Sequence, residues 1–246
     1  MEPTTIIMIA VLIALGAMLY TSVGHAGASA YLAIMALFAV EPEVMRPTAL
    51  VLNVLVASFA TWRFVRAGQF NLGLLVPFVI GAVPCAFLAG RFPLAPEIYK
   101  PIVAFVLLLA GLRLLWPRPI KALENPVAPH PAIRVAAGAG IGTLSGLTGT
   151  GGGIFLSPLI LLLGWETPRN TSGVSAAFIL CVSLSGLLGS LSTVGRLPAE
   201  LPWFVVAVAI GALIGTRIGI SKVPNGRLLQ LLGVVLLIAS AKLALT

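Results

Sequence analysis

The sequence predicts an all-α polytopic membrane protein made of two homologous halves, and three observations carry that expectation. Apolar residues make up 59% of the chain and charged residues 9%, with a mean hydropathy of +1.10; too few polar side chains remain to coat a water-soluble globule. The apolar residues fall into segments separated by short polar or glycine-rich breaks. The later segments also repeat the earlier ones. Setting Gly149 on Gly24 aligns G-T-G-G-G-I-F-L-S-P-L-I-L-L-L with G-H-A-G-A-S-A-Y-L-A-I-M-A-L-F, and with small shifts Thr48 falls on Ser175, Gly68 on Gly195, Ile80 on Ile210 and Arg113 on Lys242. Duplicated halves interrupted at corresponding positions point to a secondary transporter.

The first half, residues 1–116, divides into apolar segments 5–22, 28–40, 47–65, 70–89 and 98–116. Its opening run, followed by Ala28-Ser29-Ala30, imitates a signal peptide, but the stretch before it carries Glu2 and no basic residue, so it is assigned to the fold. Residues 117–131, with Pro117, Pro119, Pro126, Pro129 and Pro131, read as a stiff polar linker in which His130 is solvated surface. The second half, residues 132–246, repeats the division at 132–147, 153–165, 172–193, 200–220 and 227–245. The last three segments of each half are long enough to cross about 30 Å of hydrocarbon. Segments 28–40 and 153–165 are too short, reaching only about 20 Å as helices.

Each short segment is therefore either half of a broken helix or one arm of a hairpin. The broken helix gives four crossings per half and parallel halves; the hairpin gives an odd count and inverted halves. Basic residues choose between them. Four crossings spread the 15 basic residues almost evenly. An odd count collects Arg63, Arg66, Arg113, Arg118, Lys121, Arg134, Arg169, Arg217, Lys222 and Arg227 on one side, leaving Arg46, Arg91, Lys100, Arg196 and Lys242 on the other. Inverted halves are expected, with the central linker cytoplasmic and both termini outside.

The formal charge of +8 comes from 15 basic residues against seven acidic ones, all glutamate. The basic residues stand singly at segment ends, where snorkelling and topology account for them, so nucleic-acid binding is not expected. Cys85 and Cys181 lie inside apolar segments and read as buried thiols. The sequence offers no intramembrane carboxylate pair, no Cys/His metal set and no nucleophile–base pair, so neither catalysis nor a metal or other cofactor is expected.

The chemistry is concentrated at the two breaks. Gly138, Gly142 and Gly146 recur on one helical face, the pattern that lets membrane helices approach closely. Thr148-Gly149-Thr150-Gly151-Gly152-Gly153 follows, and glycines in the left-handed region can turn successive amides into one concavity, an anion nest; a tightly packed turn is the other reading. Ser157-Pro158 reads as an N-cap with proline at the first helical position, aiming a short helix's positive end at the same place. No lysine follows the glycines, which excludes a nucleotide-binding P-loop. The counterpart break carries Gly24, His25, Gly27, Ser29 and Tyr31. An ionisable residue at such a break is a functional candidate, and His25, with an ordinary imidazole pKa near 6.5, is a candidate anion ligand or proton-coupling group. Thr48, Asn53 and Ser58 in the next segment, and Thr171, Ser172, Ser175, Ser183 and Ser185 in its repeat, are expected to point inward, with Asn53 the strongest ligand candidate.

The pattern G-x-x-S-G-L-x-G-x-G-G-G-x-x-x-x-P-L from Gly142 to Leu159, its echo T-S-V-G-H-A-G-A-S-A-Y-L from Thr21, and M-R-P-T-A-L-V-L-N from Met45 to Asn53 resemble the TauE/SafE sulfite exporter family. The resemblance covers essentially the whole chain. It implies transport of small sulfur-containing anions, such as sulfite, thiosulfate, sulfoacetate or other organosulfonates, across the bacterial cytoplasmic (inner) membrane. The expected partners are then the anion, the lipid bilayer and protons as coupling ion, with a homodimer left open. A passive anion channel and a non-transporting membrane subunit of a partner enzyme are the alternatives.

Overall fold

The structure, a computed structural model, describes residues 2–92, 94–115, 126–190, 197–221 and 226–245. Most of the expected linker, up to residue 125, lies outside them, as do Arg118, Lys121, Arg196 and Lys222 of the basic tally. The described residues form ten helices: α1 (Pro3–Thr21), α2 (Ala28–Leu37), α3 (Pro42–Arg66), α4 (Leu72–Gly90), α5 (Pro96–Leu115), α6 (Pro131–Thr148), α7 (Gly153–Leu162), α8 (Pro168–Gly189), α9 (Leu201–Ser221) and α10 (Gly226–Leu245). Helices α1, α3, α4, α5, α8 and α9 are each long and apolar enough to cross a membrane. The protein is an all-α, multi-pass membrane protein.

Local chemistry explains where the helices start. α1, α3, α5, α6 and α8 each open on proline, whose fixed φ suits the first helical position and whose missing N–H would be unpaired there anyway. Asn71 caps α4 by accepting from the Leu74 amide at 3.0 Å, and Thr167 caps α8 by accepting from the Asn170 amide at 3.4 Å. His130 is exposed, as expected, and its Nδ1 accepts from the Ala132 amide at 3.3 Å, capping α6. Helices of the two halves start at matching intervals: Ala28 and Gly153, Pro42 and Pro168, Leu72 and Leu201, Pro96 and Gly226.

Glycines set how the helices pack. A Cβ added at Gly138, Gly142 or Gly146 of α6 would fall against Phe78, Ala82 or Ala86 of α4 respectively, 2.2 to 2.5 Å from their carbonyl oxygens. Both helices ascend together, so they run parallel. The same arrangement joins α9 to α1, with Gly211, Gly215 and Gly219 against Ala14, Met18 and Ser22. The first helix of each five-helix set is thus clasped by the fourth helix of the other. The remaining cross-pairs run the opposite way: Asn53 meets Ser183 while Phe64 meets Gly173 between α3 and α8, and Gly111 meets Gly233 while Ala104 meets Ser240 between α5 and α10.

Close approach makes these glycines costly to replace. Gly142→Ala must push α6 off Ala82, whose carbonyl oxygen would lie 2.4 Å from the new Cβ, a destabilisation of about 1–3 kcal/mol typical of overpacking. Gly140→Ala, one helical face away and with nothing within 4 Å, should instead gain up to about 1 kcal/mol of helix propensity. Melting temperatures of the two variants in detergent are expected to move in opposite directions.

Candidate functional site

The two breaks meet each other. Residues Ser22 to Gly27 join α1 to α2, residues Gly149 to Gly152 join α6 to α7, and the His25 imidazole bridges them, its Nε2 lying 2.9 Å from the Gly153 carbonyl oxygen and its Nδ1 3.2 Å from that of Val23. The backbone explains which glycines the repeat keeps. Gly24 and Gly149 are left-handed, with φ of +79° and +82°; so are Gly27 and Gly152, at +101° and +76°, the N-caps of α2 and α7. The first break looks poor in glycine because it keeps them where a side chain would be strained.

A small cavity lies between the breaks, about 10 Å³ in volume and lined by Tyr20, His25, Ala26, Gly27, Ala28, Ser29, Asn53, Thr150, Gly153, Ile154 and Ile179. That is room for about one water molecule. Both short helices begin at this cavity. The main-chain N–H groups of Thr150, Gly151, Gly152, Gly153 and Ile154 donate to no acceptor among the described residues, nor do those of Ala26, Gly27, Ala28, Ser29 and Ala30. Five of them are the first-turn amides that every helix leaves unpaired; the other five, in the breaks themselves, add to them at the same place. Each helix start also carries roughly half a positive elementary charge, and no carboxylate lines the cavity. Asn53 is fully buried there; its Nδ2 donates to Ser183 Oγ at 3.3 Å and its Oδ1 has no partner.

Of the residues singled out from sequence, His25, Gly27, Ser29, Asn53, Thr150 and Gly153 come together at the cavity wall. Gly24, Gly149, Gly151 and Gly152 shape the wall through their backbone. Thr148 supports it by sharing a 2.9 Å hydrogen bond with the Thr150 hydroxyl, and Tyr31 by donating to the Ala26 carbonyl. Ser157 and Ser175 stand apart, their hydroxyls paired with each other at 2.6 Å between α7 and α8. The N-cap expected at Ser157-Pro158 is not one: α7 starts at Gly153 and contains Pro158, because left-handed Gly152 already turns the chain. Ser58 is likewise not inward-facing; it is exposed and donates to its own helix at Val54. Cys85 and Cys181 are free and half-buried, outside the cavity.

With this geometry in hand, the comparison with known families is decisive: the profile described as "Sulfite exporter TauE/SafE" matches residues 8–243. The chain belongs to the TauE/SafE family. A relative from Sinorhizobium fredii (strain NBRC 101917 / NGR234), described as "Probable membrane transporter protein y4hK", is 36% identical over 230 residues, covering 92% of this chain and 93% of its own. No solved structure matches. This TauE/SafE protein is therefore a membrane transporter by family. Sequence reasoning missed three residues at or beside the cavity. Tyr20 accepts a 2.6 Å hydrogen bond from Ser29, and Ile179 presses on the glycines of the second break. Arg46 lies against Gly149. Tyr20 and Ile179 sit within long apolar helices and carry no local signal, whereas a lone arginine early in an apolar segment was legible and its burial was not.

Proposed function

We propose that this protein is a secondary transporter of small sulfur-containing anions, such as sulfite, thiosulfate, sulfoacetate or other organosulfonates, and that the anion is held between the two breaks. One observation carries the reading: two helix N-termini, with unpaired amides, open onto one cavity that lacks a carboxylate. Helix N-termini and amide nests are the backbone's way of binding oxyanions. The cavity is too small for sulfite as it stands, so the breaks must part to admit cargo. A cavity too small for its cargo at rest fits alternating access rather than a standing pore. His25, joining the breaks, is the proton-coupling group of this scheme. The membrane is the bacterial cytoplasmic membrane, and a second copy of the chain remains the candidate assembly partner.

In the same proposal residues 1–116 and 132–246 are inverted repeats about a cytoplasmic linker. Two helices exchanged by a two-fold axis in the membrane plane run antiparallel, and those exchanged by an axis along the membrane normal run parallel. The antiparallel packing of α3 on α8 and of α5 on α10 supports the first case. Cysteine labelling tests it: with Cys85 and Cys181 replaced, a cysteine at Ala122 should react only from the cytoplasm, and cysteines near either terminus only from outside. Termini on opposite sides would overturn the inverted arrangement.

Transport is tested in proteoliposomes with radiolabelled sulfite and organosulfonates, with and without a pH gradient. Saturable uptake that is stimulated by anion on the far side is expected. Flux that never saturates would make the protein a channel, and no flux from the purified chain would make it a subunit of something else.

A further inference from the structure

An ionised side chain inside a membrane-spanning helix persists only where something specific holds it. Arg46 sits in the second turn of α3 and is 5% exposed. Its guanidinium donates to the carbonyls of Gly90 at 2.8 Å, Ala89 at 3.4 Å, Phe92 at 3.1 Å and Gly146 at 2.6 Å, while Nε is buried with no partner. No carboxylate among the described residues is bonded to it. Its counter-charge is instead the C-terminal ends of two helices, α4 and α6. Each end is worth about half a negative elementary charge, so the pair together balance one cation.

One of those two ends leads into the break. Three residues after Gly146 the chain turns at Gly149, where an added Cβ would meet Arg46 Cγ and the Arg46 carbonyl oxygen at 3.2 Å. Tyr99 of α5 secures the same end by donating to the Thr148 carbonyl at 3.1 Å. At the corresponding place in the other half, Gly24 lies against the backbone of Ser172, which brings no charge.

We propose that Arg46 is a one-sided anion latch: closed, it grips the last turn of α6, and when the second break moves away, a sulfonate or other small oxyanion takes the place of the Gly146 carbonyl on the guanidinium. This rests on the reading that the cargo is an anion. It supplies what the cavity alone lacks, a reason for cargo binding to favour opening at the α3 N-terminal end: α6 stays clasped to α4, but unwinding of its last turn beyond the clasp strips Arg46 of half its counter-charge, and an anion restores it. Arginine stays charged throughout the accessible pH range, so the latch is indifferent to pH. The titratable side chain that acts on it, Tyr99, ionises in water only near pH 10.

The test compares wild type, Arg46→Lys and Arg46→Gln in proteoliposomes, with radiolabelled sulfoacetate as probe and gel filtration to establish folding. Arg46→Gln should raise KM about tenfold or more, as loss of a charge-assisted hydrogen bond does. Arg46→Lys, which keeps the charge but not the fork, should raise it by only about threefold. If both variants keep the wild-type KM and lose only Vmax, Arg46 is a permanent cap on α4 and α6, and the latch is wrong while the transport reading stands. If wild type moves no anion, the transport reading fails and takes the latch with it. Should Arg46→Gln not fold, calorimetry on wild type decides: sulfoacetate binding at pH 9 within about threefold of that at pH 6 is expected of a guanidinium, and binding that disappears above the imidazole range would move the charge to His25 and overturn the proposal.

Discussion

Gly151→Ala is expected to abolish measurable anion binding while leaving the protein folded. Gly151 has φ of +74°, and its added Cβ would lie 2.4 Å from Asn53 Nδ2 and 3.0 Å from both Ser183 Oγ and Ile179 Cγ2. The left-handed backbone alone costs about 1–2 kcal/mol with a side chain present. The Cβ also drives Asn53 into a cavity of about 10 Å³. Two neighbouring substitutions isolate the cause. Gly152→Ala has the same backbone cost at φ +76°, but its Cβ meets Ile141 and Phe178, away from the cavity, so it should lower the melting temperature more than the affinity. Thr150→Val removes the hydroxyl paired with Thr148 and should weaken binding by only about 0.5–1.5 kcal/mol, a typical net hydrogen bond. Calorimetry with sulfite or an organosulfonate on gel-filtered protein supplies all three values. Wild-type binding by a folded Gly151→Ala variant would remove the amides of the second break from the site.

The second large effect is expected at His25. Both ring nitrogens face carbonyl oxygens, Val23 at 3.2 Å and Gly153 at 2.9 Å. A neutral imidazole can donate to only one of them, whereas an imidazolium donates to both. Protonation therefore completes the tie between the breaks, and loss of the proton leaves one nitrogen lone pair opposing a carbonyl. With equal pH on both sides, wild-type transport should rise with pH across the step in which this proton is lost. The sign follows from the tie: the doubly donating form holds the closed contact, so removing the proton releases it. Tyr20 lies edge-on to the ring at 5.9 Å between centroids. His25→Ala should cut the transport rate about tenfold through lost organisation of the breaks and leave a flat pH profile. A variant that keeps the wild-type profile would reduce His25 to packing.

Much of the architecture was legible because the repeat and the hydropathy speak about backbone, and backbone is most of what a membrane fold specifies. All ten segments reappear as helices with paired starts, and the face of Gly138, Gly142 and Gly146 packs as its spacing implies. Legibility stopped where tertiary contact decides. Ser157-Pro158 has the local signature of a helix start, yet Gly152 sets the start five residues earlier and Ser157 spends its hydroxyl on Ser175. Gly151 and Gly152 look alike in sequence but face a polar amide and two apolar side chains respectively. Arg46 was visible as a basic residue and was weighed only for topology, because its four carbonyl partners come from α4, the residues just after it, and α6, all remote in sequence.

The clasps between α4 and α6 and between α1 and α9 interlock the two five-helix sets, so neither can swing away as a unit without prising glycine faces off neighbouring backbone. The parts free to move are the short helices, and they are not equally free. Ala28 through Ala36 of α2 are all buried, among α1, α3, α5 and α10. α7 buries only Gly153, Leu156, Ser157 and Ile160, packs chiefly on α8, and ends beside Leu163, which is 53% exposed. Displacing α7 uncovers those four residues and leaves the rest of its surface as it was; displacing α2 empties a packed interior. The helices thus form a rigid frame with one stiff finger and one loose one, and the loose finger is the one whose root Arg46 holds.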